Sequence, residues 1–182
     1  MIDTLVKVTE KLAELLKYRS ERHRRSFAEL VEPIYAEMVR VHQDYLNLLG
    51  STLSALEERR DLRQVAAELT EARRKQEATR RAASDMANEL ATMEVLKEYQ
   101  VFFLAVGDYF LQAPLVGSTT PSTWLLFMLR QLAGRKVETL VEVDMPTEED
   151  FVRAVESLRE CLQECWSSIV KTYTTLKAAS LA

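Results

Sequence analysis

Along the first seventeen residues Leu5, Val8, Leu12 and Leu15, with Leu16 beside them, recur at steps of three and four, the spacing that lines one stripe of an α-helix. The stripe weakens through a basic stretch and resumes as Phe27, Leu30, Val31, Ile34, Tyr35, Met38, Val41, Tyr45, Leu48 and Leu49, with charged residues between them. Gly50 follows, which predicts the end of that helix, and Ser51 or Thr52 then offers an N-cap for the next. Pro33 lies inside the pattern, lacks a backbone donor and crowds the preceding turn, so a kink or a junction between two helices is expected there.

No proline occurs between Pro33 and Pro114, and the only glycines in that span are Gly50 and Gly107, so few residues are present to end helices. From Leu62 a heptad runs through Leu62, Leu69, Gln76, Ala83 and Leu90 at one seam position, and Val65, Ala72, Thr79, Met86 and Met93 at the other. Its middle, residues 70–84, presents little but alanine, threonine and Gln76, which reads as a thinly packed coiled-coil midpoint or as the bend of a hairpin. Run straight from 52 to 112, this element would reach about 90 Å.

Tyr99 to Gly117 and Trp124 to Leu129 are the most apolar parts of the chain, and a loop, Gly117 to Thr123, separates them. Thr120 and Pro121 suit the N-cap and first turn of a short helix that Gly134 ends. Val137, Thr139, Val141, Val143 and Met145 alternate with acidic residues at a period of two, interrupted by Leu140. That pattern reads as an extended connector or as one short isolated strand over 137–143. Pro146 opens the last helix, with Thr147 as cap, Glu148, Glu149 and Asp150 at its positive end, and a stripe of Phe151, Val155, Leu158, Leu162, Cys165, Trp166, Ile169, Tyr173 and Leu176. The predicted fold is an all-α, elongated bundle with long antiparallel, coiled-coil-like helices. It forms a single helical domain over 1–182, subdivided as N-terminal helices at 1–50, a long helix or hairpin at 51–112, and an apolar helix, connector and final helix at 113–182.

Composition agrees with this: 47% of residues are hydrophobic and 29% charged, against four glycines and four prolines, which excludes a disordered chain and a disulfide scaffold. The first helix carries Asp3, Lys7, Glu10, Lys11 and Glu14, so no apolar secretory core is present and a cytoplasmic location is expected. The net charge of −4 hides an asymmetry. Lys17, Arg19, Arg22, Arg24 and Arg25 face Glu21 alone within 17–25, whereas 138–164 holds nine acids against Arg153 and Arg159.

Candidate chemistry is sparse. The Glu-x-x-His pairs of a carboxylate-bridged metal site are missing, and His23 and His42 read as a solvated and a core-edge side chain. Cys161 and Cys165 share a helical face but have no second ligand pair, and Glu160 and Glu164 beside them oppose a reactive thiolate. The 117–123 loop lacks the Gly-Lys-Ser/Thr ending of a phosphate-binding loop. No catalytic residue, cofactor or metal site is therefore expected.

The expected function is that of a non-catalytic scaffold or adaptor subunit, self-associating or joined to other proteins. Its partner interface would comprise Phe102, Phe103, Tyr109, Phe110, Trp124 and Phe127. Arg19, Arg22, Arg25, Arg73, Arg74, Arg80 and Arg81 are the candidate contacts to phosphate or to an acidic partner, the basis of an alternative reading as a nucleic-acid-binding module using 17–25 and 73–81. A third reading, a membrane-active protein using 99–129, is opposed by Gln100, Asp108, Gln112 and Pro114. These leave no run of the roughly 18 apolar residues that a spanning helix requires.

Overall fold

The computed structural model describes residues 2–17, 27–111, 121–132 and 146–181, apart from the side chains of 17 and 121–124. Within them lie six α-helices: α1 (Ile2–Lys17), α2 (Phe27–Glu57), α3 (Leu62–Ala91), α4 (Gln100–Leu111), α5 (Pro121–Leu132) and α6 (Glu148–Ser180). A 3₁₀ segment, Glu94–Tyr99, joins α3 to α4. The fold is all-α, as the periodicity predicts; the candidate strand at 137–143 lies outside the described residues.

Several predicted boundaries move. Helix α2 runs unbroken through both Pro33 and Gly50. Ser51 and Thr52, instead of capping a new helix, donate their hydroxyls to the Leu48 carbonyl one turn back, at 2.9 and 2.8 Å. The helix ends at a residue that carries no sequence signal. Arg59 takes the left-handed conformation (φ 60°), with its N–H on Leu56 O and the Arg60 N–H on Ala55 O. Those two bonds are the Schellman pairing that usually recruits glycine. Asp61 then caps α3 by accepting from the Gln64 N–H at 3.0 Å.

Residues 70–84 do not bend; α3 is continuous and about 45 Å long at 1.5 Å per residue. The reversal falls later. Thr92 turns its hydroxyl onto Glu89 O at 2.7 Å and Met93 goes extended, so the long 51–112 element is two helices and a turn. Helix α4 then folds back antiparallel along α3, with Arg80 beside Phe110 and Ser84 beside Gly107. The approach is close because small residues face each other. Ser84 donates to Gly107 O at 3.1 Å, and a Cβ on Gly107 would lie 2.6 Å from Asn88 Oδ1.

Helix α6 runs antiparallel to α2, registered by Glu32 with Lys177, Tyr35 on Tyr173, and His42 on Trp166. Helices α1 and α3 instead run parallel, since Ile2 neighbours Ala72 while Ala13 neighbours Ala82 along one shared groove. The predicted antiparallel arrangement therefore holds for α3 with α4 and for α2 with α6 but not for α1 with α3. An up-down-up order of α1, α2 and α3 makes the first and third parallel. All the helices share one core, in which Phe102, Phe103, Tyr109, Phe110 and Phe151 are fully buried. Removing each such side chain from water stabilises the fold by about 2–3 kcal/mol before entropy is counted. Thr147 and Asp150 form the expected reciprocal capping box at the start of α6.

Candidate functional site

The apolar patch expected to face a partner is mostly core. Phe102, Phe103, Tyr109 and Phe110 are at most 2% exposed, packed beneath α3 and α6, and Phe127 is half-buried against the same cluster. Trp124 lies on α5, with its side chain outside the described residues. The physical reason is that α4 is apolar on both sides. Its aromatic half fills the interior, while Val101, Leu104 and Leu111 are 64%, 42% and 50% exposed. Those three aliphatics, which the aromatic count overlooked, share one side of the helix with half-buried Asp108, whose carboxyl burial raises above the usual range.

The arginine prediction divides. Arg19, Arg22 and Arg25 lie outside the described residues. Arg73, Arg74, Arg80 and Arg81 do come together, along a cleft of about 450 Å³ between α3, the end of α4 and α5. Phe110, Leu111, Leu126 and Leu129 line its apolar part, and Arg130 of α5, absent from the sequence-based candidates, joins the basic set. Nothing in the local sequence of α5 signals that role, because it depends on how α5 crosses α3.

The four α3 arginines along the cleft are not equivalent. Arg74 is held by both carboxylate oxygens of Glu71 at 2.8 and 2.9 Å, and with Lys75 it draws the Glu71 pKa down to about 2. Arg81 pairs with Glu77 at 2.6 Å. Arg80 has no carboxylate partner among the described residues and donates instead to the Phe110 carbonyl at 3.0 and 3.3 Å, which satisfies the end of α4. Arg73 is buried, and desolvation followed by repulsion from Arg80 lowers its pKa to about 10.

Behind α4 sits an aromatic cluster. His42 is buried, stacked on Trp166 at 4.7 Å, and its Nδ1 lies 3.0 Å from the Tyr109 hydroxyl. Burial pushes the His42 pKa down to about 4 and raises that of Tyr109, so at neutral pH an uncharged imidazole and a neutral phenol share this hydrogen bond. Tyr173 stacks on Tyr35 at 3.6 Å and continues the array. The thiols of Cys161 and Cys165, not joined in a disulfide, are both driven upward by burial, Cys165 to about 12, far from a reactive thiolate. Among the described residues no group of three or more histidines, cysteines or acids is placed to hold a metal ion.

What the fold and cleft define is an α-helical bundle carrying a cationic, apolar-floored groove. No protein-family model, curated protein or solved structure matches this chain. Among the described helices none is long and apolar enough to cross a membrane.

Proposed function

We propose that this chain is a non-catalytic helical scaffold of the cytoplasm that pairs with a second copy of itself through the outer side of α4 and offers its remaining charged faces to other subunits. The observation that carries the reading is the two-sided apolar character of α4: the fold has already used Phe102, Val106 and Tyr109 inward, yet Val101 and Leu104 stay exposed. A two-fold axis crossing the first turn of α4, between Phe102 and Phe103, sets Val101 of one copy against Leu104 of the other. The same axis sets Lys97 against Asp108, so one surface is complementary to itself in shape class and in charge.

The rival nucleic-acid reading draws less support, because Glu71 and Glu77 already engage Arg74 and Arg81. Sedimentation equilibrium tests the proposal. Wild type is expected to dimerise at micromolar concentration, the V101D/L104D variant to sediment as a monomer, and the K97E/D108K pair to recover affinity that each single charge reversal loses. A wild-type chain that stays monomeric across that range overturns the reading.

A further inference from the structure

We infer that the cleft between α3, α4 and α5 is a binding site for an amphiphile with an anionic head, carboxylate or phosphate monoester, and an aliphatic body. Its volume of about 450 Å³ falls within the range of small-ligand sites, about 300–1,000 Å³. Its chemistry is split. Leu126, Leu129 and Phe110 make an apolar floor, while Arg73, Arg80 and Arg130 bring positive charge to the same space. Glu77 is the one carboxylate among the described lining residues, and Arg81 occupies it.

Neither Arg80 nor Arg130 has an acidic partner among the described residues. An arrangement that gathers like charges beside a buried apolar wall raises its own free energy, and an anion entering the cleft relieves it. Forked guanidinium donors suit the planar carboxylate and the tetrahedral phosphate alike. A bare inorganic anion leaves the floor wet, and a neutral chain leaves the arginines unmatched, so both halves of the ligand are required. The site adjoins the outer side of α4 at Leu111 but is not lined by Val101 or Leu104, which carry the proposed dimer contact.

Isothermal titration of the full chain with dodecyl phosphate and with dodecanoate, each below its micellar concentration, tests the assignment. Dodecyl maltoside and inorganic phosphate serve as controls. Saturable one-to-one binding of at least one anionic amphiphile is expected, with both controls at least about tenfold weaker. Preference for dodecyl phosphate identifies a phosphorylated lipid head, and equal or better binding of dodecanoate identifies a fatty acid; either result supports the site.

The exposed charge reversal R130E and the floor change L126D are each expected to weaken binding about tenfold or more, with V101D unchanged. Because R130E alters a solvent-facing side chain, circular dichroism matching wild type separates loss of binding from loss of fold. Equal binding of the maltoside, binding of phosphate alone as tight as the amphiphile, or full affinity in folded R130E overturns the inference.

Discussion

Replacing His42 with glutamine tests the packing behind α4 through its pH dependence. The imidazole is 8% exposed, stacked on Trp166, and hydrogen-bonded to the Tyr109 hydroxyl across 3.0 Å. Folding lowers its pKa from 6.5 to about 4, because burial disfavours the charged ring. The direction of linkage follows. Between those values the unfolded chain takes up a proton that the native chain refuses, so stability present above about pH 6.5 is lost as the pH falls toward about 4. At about pH 5 the gap to the unfolded value is about 1.5, and at about 1.4 kcal/mol per unit this amounts to about 2 kcal/mol. Water at the open edge of the ring reduces this to about 1 kcal/mol.

Glutamine keeps an acceptor for the Tyr109 hydroxyl but does not titrate. Urea unfolding followed by circular dichroism at about pH 7 and about pH 5 is expected to show the wild type losing about 1–2 kcal/mol more than H42Q over that interval. Carboxylates, which titrate in both proteins, cancel in the difference. Parallel losses in the two chains, or a His42 proton resonance titrating near its ordinary value, would refute the reasoning.

Two further changes report on individual atoms. The Tyr45 hydroxyl is buried with no hydrogen-bond partner among the described residues, and burial pushes its pKa to about 12. Tyr45→Phe is therefore expected to stabilise the fold by about 1 kcal/mol, read from the urea midpoint, and a lower midpoint would mean the hydroxyl is satisfied. At Gly50, inside α2, an added Cβ meets nothing within 4 Å. Gly50→Ala should therefore raise stability by about 1 kcal/mol, or the melting temperature by a few degrees, and a fall would restore a helix terminus at that position.

Gly50 also shows where the sequence misleads. A glycine after Leu49 carries the usual terminal signal, but signals of local propensity are worth about 1 kcal/mol, and Leu49, Thr52, Ala55 and Leu56 together bury more than that by continuing the helix. The true stop, at Arg59, rests on a conformation held by two carbonyl bonds, one from its own N–H and one from that of Arg60, so no residue type announced it. The stripes of α1 and α6 and the Thr147 cap were legible because each depends on one face or on residues three apart. The cleft was legible only as scattered parts. Arg73, Arg74, Arg80 and Arg81 stand out as a cluster, whereas Arg130 and Leu126 reach it through the crossing of α5 over α3, which no spacing along the chain encodes. The buried position of the α4 aromatics was missed for a related reason: a helix apolar on both sides does not state which side faces inward.

The weak middle of the α3 heptad ties these findings together. A helix serving one partner would place Leu or Val at the seam positions held by Ala72, Gln76, Thr79 and Ala83. Here α3 packs against four helices, α1, α2, α4 and α5. Ala72, Ala78 and Ala82 border the groove shared with α1, Ala83, Ser84 and Ala87 let α4 approach closely, and Arg73 and Arg80 open on the cleft beside α5. Small residues bring α1 and α4 near, the aliphatics Leu5, Val8 and Leu12 of α1 and the aromatics of α4 then supply the core, and the side facing the cleft is left to charge. The segment that looked like a flaw in a coiled coil is thus the stretch where α1, α4 and the cleft all border α3. Filling its cleft with hydrophobic side chains at Arg73 and Arg80 would trade the anion site for a conventional seam, the exchange expected where a polar stretch is kept for binding at the expense of stability.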